Sequence, residues 1–335
     1  MSNQMNTAAM GGGGRWAAEQ FLRALAAGRE IGPAELRTLD TLRKDEWKYI
    51  DEAVIEEGAI RLRGIADLQA AGLTIPIPNA MGKTLFEYEK VSDMTDAMVS
   101  MGGVGRSEDD RPDFTLANVP LAITHKDFNI NLRTLVASRE RGEALDTMSA
   151  RVASRKVAEM LEYMLFNGGK TFGGSVIYGY ANHPNRNTVD FENNEEWTHA
   201  SKDGAGILLD VVNMIKAAET DRFFGPYWLY LPSAYSTVID NDFKAASDVT
   251  IRERLLKIDR LQKITVADQM PADNVVLVQA TRDVVALADG EPAQTVQWDV
   301  EGGFEVKFKV FAIQIPIIRA DAQGRSGGVN LKQRW

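Results

Sequence analysis

The strongest apolar periodicity in the chain runs through "SRKVAEMLEYMLFNGG", residues 154–169. Ala153, Val157, Met160, Leu161, Met164 and Leu165 recur at i, i+4, i+7, i+8, i+11 and i+12, the spacing of one wide helix face. Tyr163 and Phe166 widen that face. Arg151, Arg155 and Lys156 mark the solvated side, with Arg155 and Glu159 one turn apart. The pattern predicts a helix from near Glu143 that ends at Asn167-Gly168-Gly169, where left-handed residues stop it cheaply.

Upstream, the spacing predicts shorter amphipathic helices. Trp16, Phe21, Leu22 and Leu25 share one face before Gly28, and a second helix follows Pro33. In "LRKDEWKYIDEAVIEEGAIRL", Trp47, Ile50, Val54 and Ile55 fall at i, i+3, i+7 and i+8. These helices lack apolar partners nearby in sequence, so they must pack on a distant part of the chain or on another subunit.

From about residue 74 to 131 the period changes to two. "KTLFEYEKVSD" sets Phe86 and Tyr88 against Glu87 and Glu89, a half-buried strand. "FTLANVPLAITH" alternates again, with Val119, Leu121 and Ile123 in phase and Pro120 marking an edge. Between them, "MGGVGRSEDDRPD" is a glycine hinge leading to a charged tip. A lone two-stranded ribbon of this kind is marginal in water and needs another molecule to lie on.

Beyond residue 204 the pattern is compact α/β. Ile207, Leu208, Val211, Ile215 and Ala218 give a helix stripe, and "PYWLYLP" reads as a strand. "SAYSTVIDNDF" and "TIRERLLKI" read as helices, and "KITVAD", "NVVLVQA" and "RDVVALADG" as strands between turn residues. Near the end, Phe304, Val306, Phe308 and Val310 alternate with charged residues until Phe311, Ile313, Ile315 and Ile317 take over the phase. A one-residue slip turns a strand over, which predicts a bulge or a crossing between two environments there.

Composition narrows the function classes. The 335 residues are 44% hydrophobic and 25% charged, an ordinary globular balance large enough for two domains with extensions. No apolar run reaches the roughly 18 residues of a membrane span, and residues 1–14 read as a glycine-rich polar arm without the apolar stretch of a secretion signal. Cysteine is absent, so thiol chemistry and disulfides are excluded. A net charge of −9 argues against a general nucleic-acid binder, though not against a protein that merely encloses nucleic acid.

Candidate chemistry is sparse. "MGGVGRSED" lacks the Gly-Lys-Ser/Thr ending of a phosphate loop and puts acids where phosphate would sit. "GGSVIYG" around Ser175 lacks the nucleophile-elbow pattern. His183 and His199 share a polar segment with Asp190 and Glu192, yet without metal-ligand spacing. A hydrolytic or metal-dependent α/β enzyme would have to use one of those two histidines. The reading is therefore of no enzyme, with no catalytic, cofactor-binding or metal residues and no cofactor.

The order of parts carries the remaining information. "DEWKYIDEAV", "VPLAITHKDF", "ARVASRKVAEMLEYMLFNG" and "IYGYANHP", followed by a compact α/β part and a long final strand, resemble the tailed-phage major capsid protein fold in its encapsulin-like branch. The likeness spans about residues 40–320. It implies an α+β fold with an N-terminal arm and helices over 1–60 and an extended two-stranded loop region over 61–131. It also implies a peripheral domain over 132–190 and 301–335, with a spine helix at about 143–167 and a closing strand at about 303–319. An axial α/β domain over 191–300 completes the expectation.

The resemblance implies a structural function: a major capsid protein that assembles, as pentamers and hexamers, the icosahedral shell around the double-stranded DNA genome of a tailed bacteriophage. The implied partners are other copies, separate scaffolding and portal proteins, and decoration proteins; DNA is enclosed without sequence-specific binding, and no membrane is involved. The implied location is the virion capsid, assembled in the host bacterial cytoplasm. The alternative is an encapsulin nanocompartment shell, with Trp47 and its helix holding a cargo enzyme's tail. Inter-subunit contacts are expected from Trp16, Phe21 and Trp47, from Phe86 and Tyr88, and from the loop tip at Arg106, Glu108, Asp109, Asp110, Arg111 and Asp113.

Overall fold

The computed structural model describes residues 44–92, 94, 96–102, 111–131, 133, 136, 147–244, 248–300, 305–321 and 323–333. In chain order these form helix α1 (Lys44–Arg61), helix α2 (Gly64–Ala70), and strands β1 (Thr74–Pro76), β2 (Leu85–Val91), β3 (Phe114–Pro120) and β4 (Thr124–Asn131). Helix α3 (Met148–Phe166) follows, then strands β5 (Lys170–Phe172), β6 (Ser175–Ile177) and β7 (Asn187–Asp190). Next come helix α4 (Gly204–Thr220), strand β8 (Tyr227–Pro232), and the short helices α5 (Ser236–Ile239) and α6 (Ile251–Leu256). Strands β9 (Leu261–Ala267), β10 (Asn274–Gln279), β11 (Val285–Val300), β12 (Glu305–Ile318) and β13 (Gly328–Lys332) complete the chain. Two compact units interleave in sequence: residues 1–84, 121–163 and 287–315 belong to one, the remainder to the other.

In the first unit, α1 buries Ile50, Ala53 and Val54, while Ile55 is exposed. Its partner is distant in sequence: the Ser154 hydroxyl donates to the Val54 carbonyl at 2.6 Å, and Arg151 pairs with Glu56 at 3.2 Å. On α3, Ala153, Val157 and Leu161 are buried with Ala150 and Ala158, as the stripe requires. Met160 and Tyr163 are largely exposed, contrary to the sequence reading, and the polar Ser154 and Glu162 are buried in their place. The helix starts at Met148, with Thr147 outside it, later than the start near Glu143 that the pattern predicts.

The sheet of this unit has the order β1-β11-β12-β4. Strand β12 pairs antiparallel with β4 in unbroken register, Glu305↔Asn131 through Ala312↔Thr124, so of the two outcomes expected at Val310-Phe311 no bulge interrupts this pairing. The other outcome holds, a crossing between two environments. Up to Val310 alternate residues are buried; from there to Ile318 every residue is, so both faces are covered. The stretch read as one strand across Pro120 is two, β3 and β4, because the Leu121 N–H turns to the Thr84 carbonyl at 2.8 Å.

The second unit holds a five-stranded mixed sheet in the order β7-β13-β10-β8-β9. Strand β8 is buried along its whole length between β10 (antiparallel) and β9 (parallel). Helix α4 starts at Asp203, whose carboxylate accepts the Gly206 N–H at 2.8 Å. It puts Ile207, Val211, Met214 and Ala218 into one core with Trp197, Leu229, Leu277 and Leu331. "SAYSTVIDNDF" yields only a helical turn and the four-residue α5 rather than a full helix. The end of α3 also lies here. Its last carbonyls are satisfied by a returning segment: Tyr180 and Ala181 donate to Leu165 and Phe166 at 2.9 and 2.8 Å. Phe166, Tyr180 and Tyr230 then form an aromatic cluster with ring centroids 5.1 to 5.8 Å apart.

Candidate assembly surfaces

Strands β2 and β3 pair only with each other, from Leu85↔Pro120 to Val91↔Phe114. One further rung follows: the Ser92 N–H donates to the Asp113 carbonyl at 2.9 Å, and the Asp113 N–H to the Ser92 hydroxyl at 2.8 Å. Alternation divides the ribbon into two faces. One carries Phe86, Tyr88 and Lys90 with Ala117 and Val119, all half-buried. Phe86 and Tyr88 stack at 6.3 Å, and the Arg319 guanidinium lies 5.3 Å over the Tyr88 ring. Burial pushes the Tyr88 hydroxyl above its ordinary range, and Arg319 partly opposes that. This face therefore rests on the ribbon's own chain.

The other face touches its own chain at Asn118, whose Oδ1 accepts the Ser175 hydroxyl at 2.7 Å, and is otherwise largely exposed. Leu85, Phe114 and Leu116 project there, with Leu116 71% exposed. Past Val91 the exposed apolar series continues through Met94, Met98, Val99 and Met101, with Val99 96% exposed. Seven large apolar side chains on one arm amount to a patch of the kind that marks an interaction surface. The sequence reading named Phe86, Tyr88 and the charged tip on this ribbon but none of these seven residues. The run "DMTDAMVSMGG" carried the signal, but it has neither helix nor strand period and so reads as a loop.

The predicted contact residues divide accordingly. Phe86 and Tyr88 lie together on the half-buried face, and Arg111 and Asp113 are exposed beside the last rung. Trp47 stands on α1 with its side chain outside the described residues, as are Trp16, Phe21, Arg106, Glu108, Asp109 and Asp110 altogether.

The histidines are separated in role. His183 is buried, its Nδ1 accepting the Asn185 N–H at 3.3 Å, and burial with the nearby Lys90 and Arg186 charges lowers its pKa to about 4. His199 is exposed beside Ser201. Among the described residues no three histidine, aspartate or glutamate side chains are placed to hold a metal.

Two buried carboxyls escaped the sequence reading. Asp210 accepts the Glu192 N–H at 2.8 Å and the Trp197 indole N–H at 2.9 Å, and pairs with the buried Lys202 at 2.9 Å. Both oxygens of this acid have donors and its charge is matched by Lys202, which is what lets it sit in a core. Glu162 accepts the Ile65 N–H at the start of α2 at 3.2 Å, while its Oε2 has no partner among the described residues. Desolvation dominates, and its pKa rises to about 7. Nothing in spacing distinguishes either acid from a surface carboxylate.

Residues 37–331 match a family described as "Family of unknown function (DUF6260)". No curated protein matches the chain. Among solved structures, the virus-like particle from Pyrococcus furiosus superposes with a TM-score of 0.60 at 15% identity, covering 85% of this chain and 99% of that one. The capsid of Myoviridae phage XM1 gives 0.58 at 11% identity over 79% and 91% of the two chains. The capsid of the native GTA particle gives 0.57 at 15% identity over 82% and 92%. At these identities the likeness establishes the fold: the α+β architecture common to tailed-phage capsid proteins and an encapsulin-like particle, as the order of parts implied.

Proposed function

Since the chain belongs to the DUF6260 family and has the tailed-phage capsid fold, we propose that it is a major capsid protein, the repeating tile of an icosahedral virion shell. The observation that carries this reading is the β2–β3 ribbon, which on this fold exposes Leu85, Met94, Met98, Val99, Met101, Phe114 and Leu116 to solvent. In an isolated molecule that surface is unfavourable by roughly 25 cal/mol for each Å² of apolar area left wet. In a closed assembly each copy lies under a neighbour, and contacts of a few kcal/mol on several sides hold it by multivalency.

The reading makes the molecule structural rather than catalytic, with pentamers and hexamers of itself as first partners. Separate scaffolding and portal proteins, decoration proteins and assembly in a host bacterial cytoplasm belong to the same reading. DNA is enclosed, and the chain's −9 charge suits a genome that is not drawn in by basic tails. The spine α3, the sheet of β12 and the N-terminal helices would form the peripheral domain, and residues 191–300 the axial domain.

A second reading, a nanocompartment shell around a protein cargo, rests on the likeness to the virus-like particle from P. furiosus. The ratio of nucleic acid to protein absorbance in purified particles separates the two. Deleting residues 102–112 tests assembly itself. A soluble, folded protein that no longer closes shells is expected, and normal particles from that deletion would refute the assignment.

A further inference from the structure

The ribbon of β2 and β3 is held near its midpoint from both faces. On one face the Arg319 guanidinium lies 5.3 Å over the Tyr88 ring. On the other, the Ser175 hydroxyl donates to Asn118 Oδ1 at 2.7 Å. Tyr88 pairs with Ala117 and Asn118 with Glu87, so the two contacts fall on neighbouring rungs, the third and fourth of seven.

Each holder is fixed to the body of the same unit. Arg319 follows β12 directly; its N–H donates to the Val284 carbonyl at 2.8 Å, and its carbonyl accepts the Ser326 hydroxyl at 3.4 Å. Ser175 opens β6, which forms a hairpin with β5 through Gly173 and Gly174, both at positive φ as a tight turn requires. The base of that hairpin is tied down, because Ile177 is buried and its carbonyl accepts the Gly169 N–H at 2.8 Å.

The rungs beyond the grip, Glu89↔Leu116 to Val91↔Phe114, carry exposed Leu116 and Phe114 and lead on to Met94, Met98, Val99 and Met101. A two-stranded ribbon is marginal by itself in water. Released from its holders, the outer part would sample many directions, and a neighbour could bind it only by fixing one of them, at a cost in conformational entropy. Neither contact covers the exposed apolar side chains; both act on direction.

We propose that Arg319 and Ser175 are the two jaws of an orienting clamp: by holding Tyr88 and Asn118 they fix the direction in which the outer ribbon projects, so that it meets a second copy already placed. All four are positioning residues for assembly. What the ribbon is held out for rests on the shell reading, whereas the clamp itself does not.

S175A/R319M removes both jaws, and S175T/R319K keeps a hydroxyl on one side and a cation on the other. In subunits below the concentration of particle formation, hydrogen exchange of the amides in 85–91 and 114–120 should quicken about tenfold in S175A/R319M, with exchange in β8 and β10 unchanged. The protein concentration at which particles form should also rise about tenfold, the combined contribution of one hydrogen bond and one cation–π contact. S175T/R319K should restore both. Unchanged ribbon exchange in S175A/R319M would overturn the proposal, and so would faster ribbon exchange with no change in the concentration needed for particles. Should the double variant fail to fold, Asn118→Ala, an exposed change on the ribbon itself, is read in the same two ways and is expected to move both several-fold in the same direction. If the unaltered protein forms no particles, the shell reading fails, while the exchange comparison still decides whether the clamp exists.

Discussion

Gly168 and Gly179 occupy each other's missing side-chain space. A Cβ on Gly168 would lie 2.1 Å from the Gly179 nitrogen, and one on Gly179 would lie 2.6 Å from the Gly168 nitrogen. Gly168 also has φ of +57°, so the α3 stop and the close approach of the returning segment are one device. Gly179→Ala is expected to destabilise the protein by about 2–4 kcal/mol, since backbone must move. Gly173→Ala, at positive φ but with open space around it, should cost about 1 kcal/mol. Denaturant unfolding of both variants checks the difference.

Asp210 is the polar anchor of the segment before α4. Removing its carboxylate strands the Trp197 indole N–H and the Glu192 N–H, and leaves the buried Lys202 ammonium only the Glu192 carbonyl at 3.3 Å and its carboxylate at 4.0 Å. Asp210→Ala should cost about 3–5 kcal/mol, the range for breaking a buried pair on one side. Asp242→Ala, on the surface, should stay within about 0.5 kcal/mol. Thermal melting of the two variants provides the comparison.

Two buried groups give the stability a pH dependence of opposite sign. Glu162 titrates near 7 when folded against about 4.5 when unfolded, so the folded state holds the extra proton between those values. Its contribution is full below pH 4.5 and is lost as pH rises through 7. His183 titrates near 4 when folded against 6.5 when unfolded, so the unfolded state holds the extra proton. That contribution is full above pH 6.5 and is lost as pH falls through 4. Glu162→Gln should therefore leave stability rising with pH from 4 to 6.5, and His183→Gln should leave it falling from 4.5 to 7. Unfolding free energies measured across pH 4–8 test both signs.

The exposed ribbon residues are expected to matter to the assembly and hardly to the fold. Val99→Ser with Met101→Ser should change unfolding free energy by less than about 0.5 kcal/mol, as exposed sites do. The same variant should form far fewer particles, because it removes apolar area that only a neighbour can cover. Equal loss of folding and of particles would show that the residues pack within the chain instead.

The sequence made some of this architecture legible, and the reasons are local. The apolar face of α3 and the alternation of β2 and β12 are written in strong periods, and the order of parts carried the fold. Met160 and Tyr163 misled because apolar residues at helical spacing need not be covered, whereas Ser154 and Glu162 found partners 100 and 97 residues away. The phase change at Val310 left a bulge and a crossing between two environments both open, because a strand buried on both faces mimics a slipped one. Strands β7 and β13 escaped notice: "NTVD" and "GVNLK" are short and half polar, and long-range pairing makes them strands. The open apolar run at Met94–Met101 has no period, so only its exposure reveals it.

The central claim is that these surfaces belong between copies. The mass of the purified, unaltered full-length chain in solution, by mass photometry with electron microscopy of the same sample, tests it most directly. The account predicts closed particles, or pentamers and hexamers that close when concentrated. A stable lone subunit of 37.0 kDa at every concentration would contradict it.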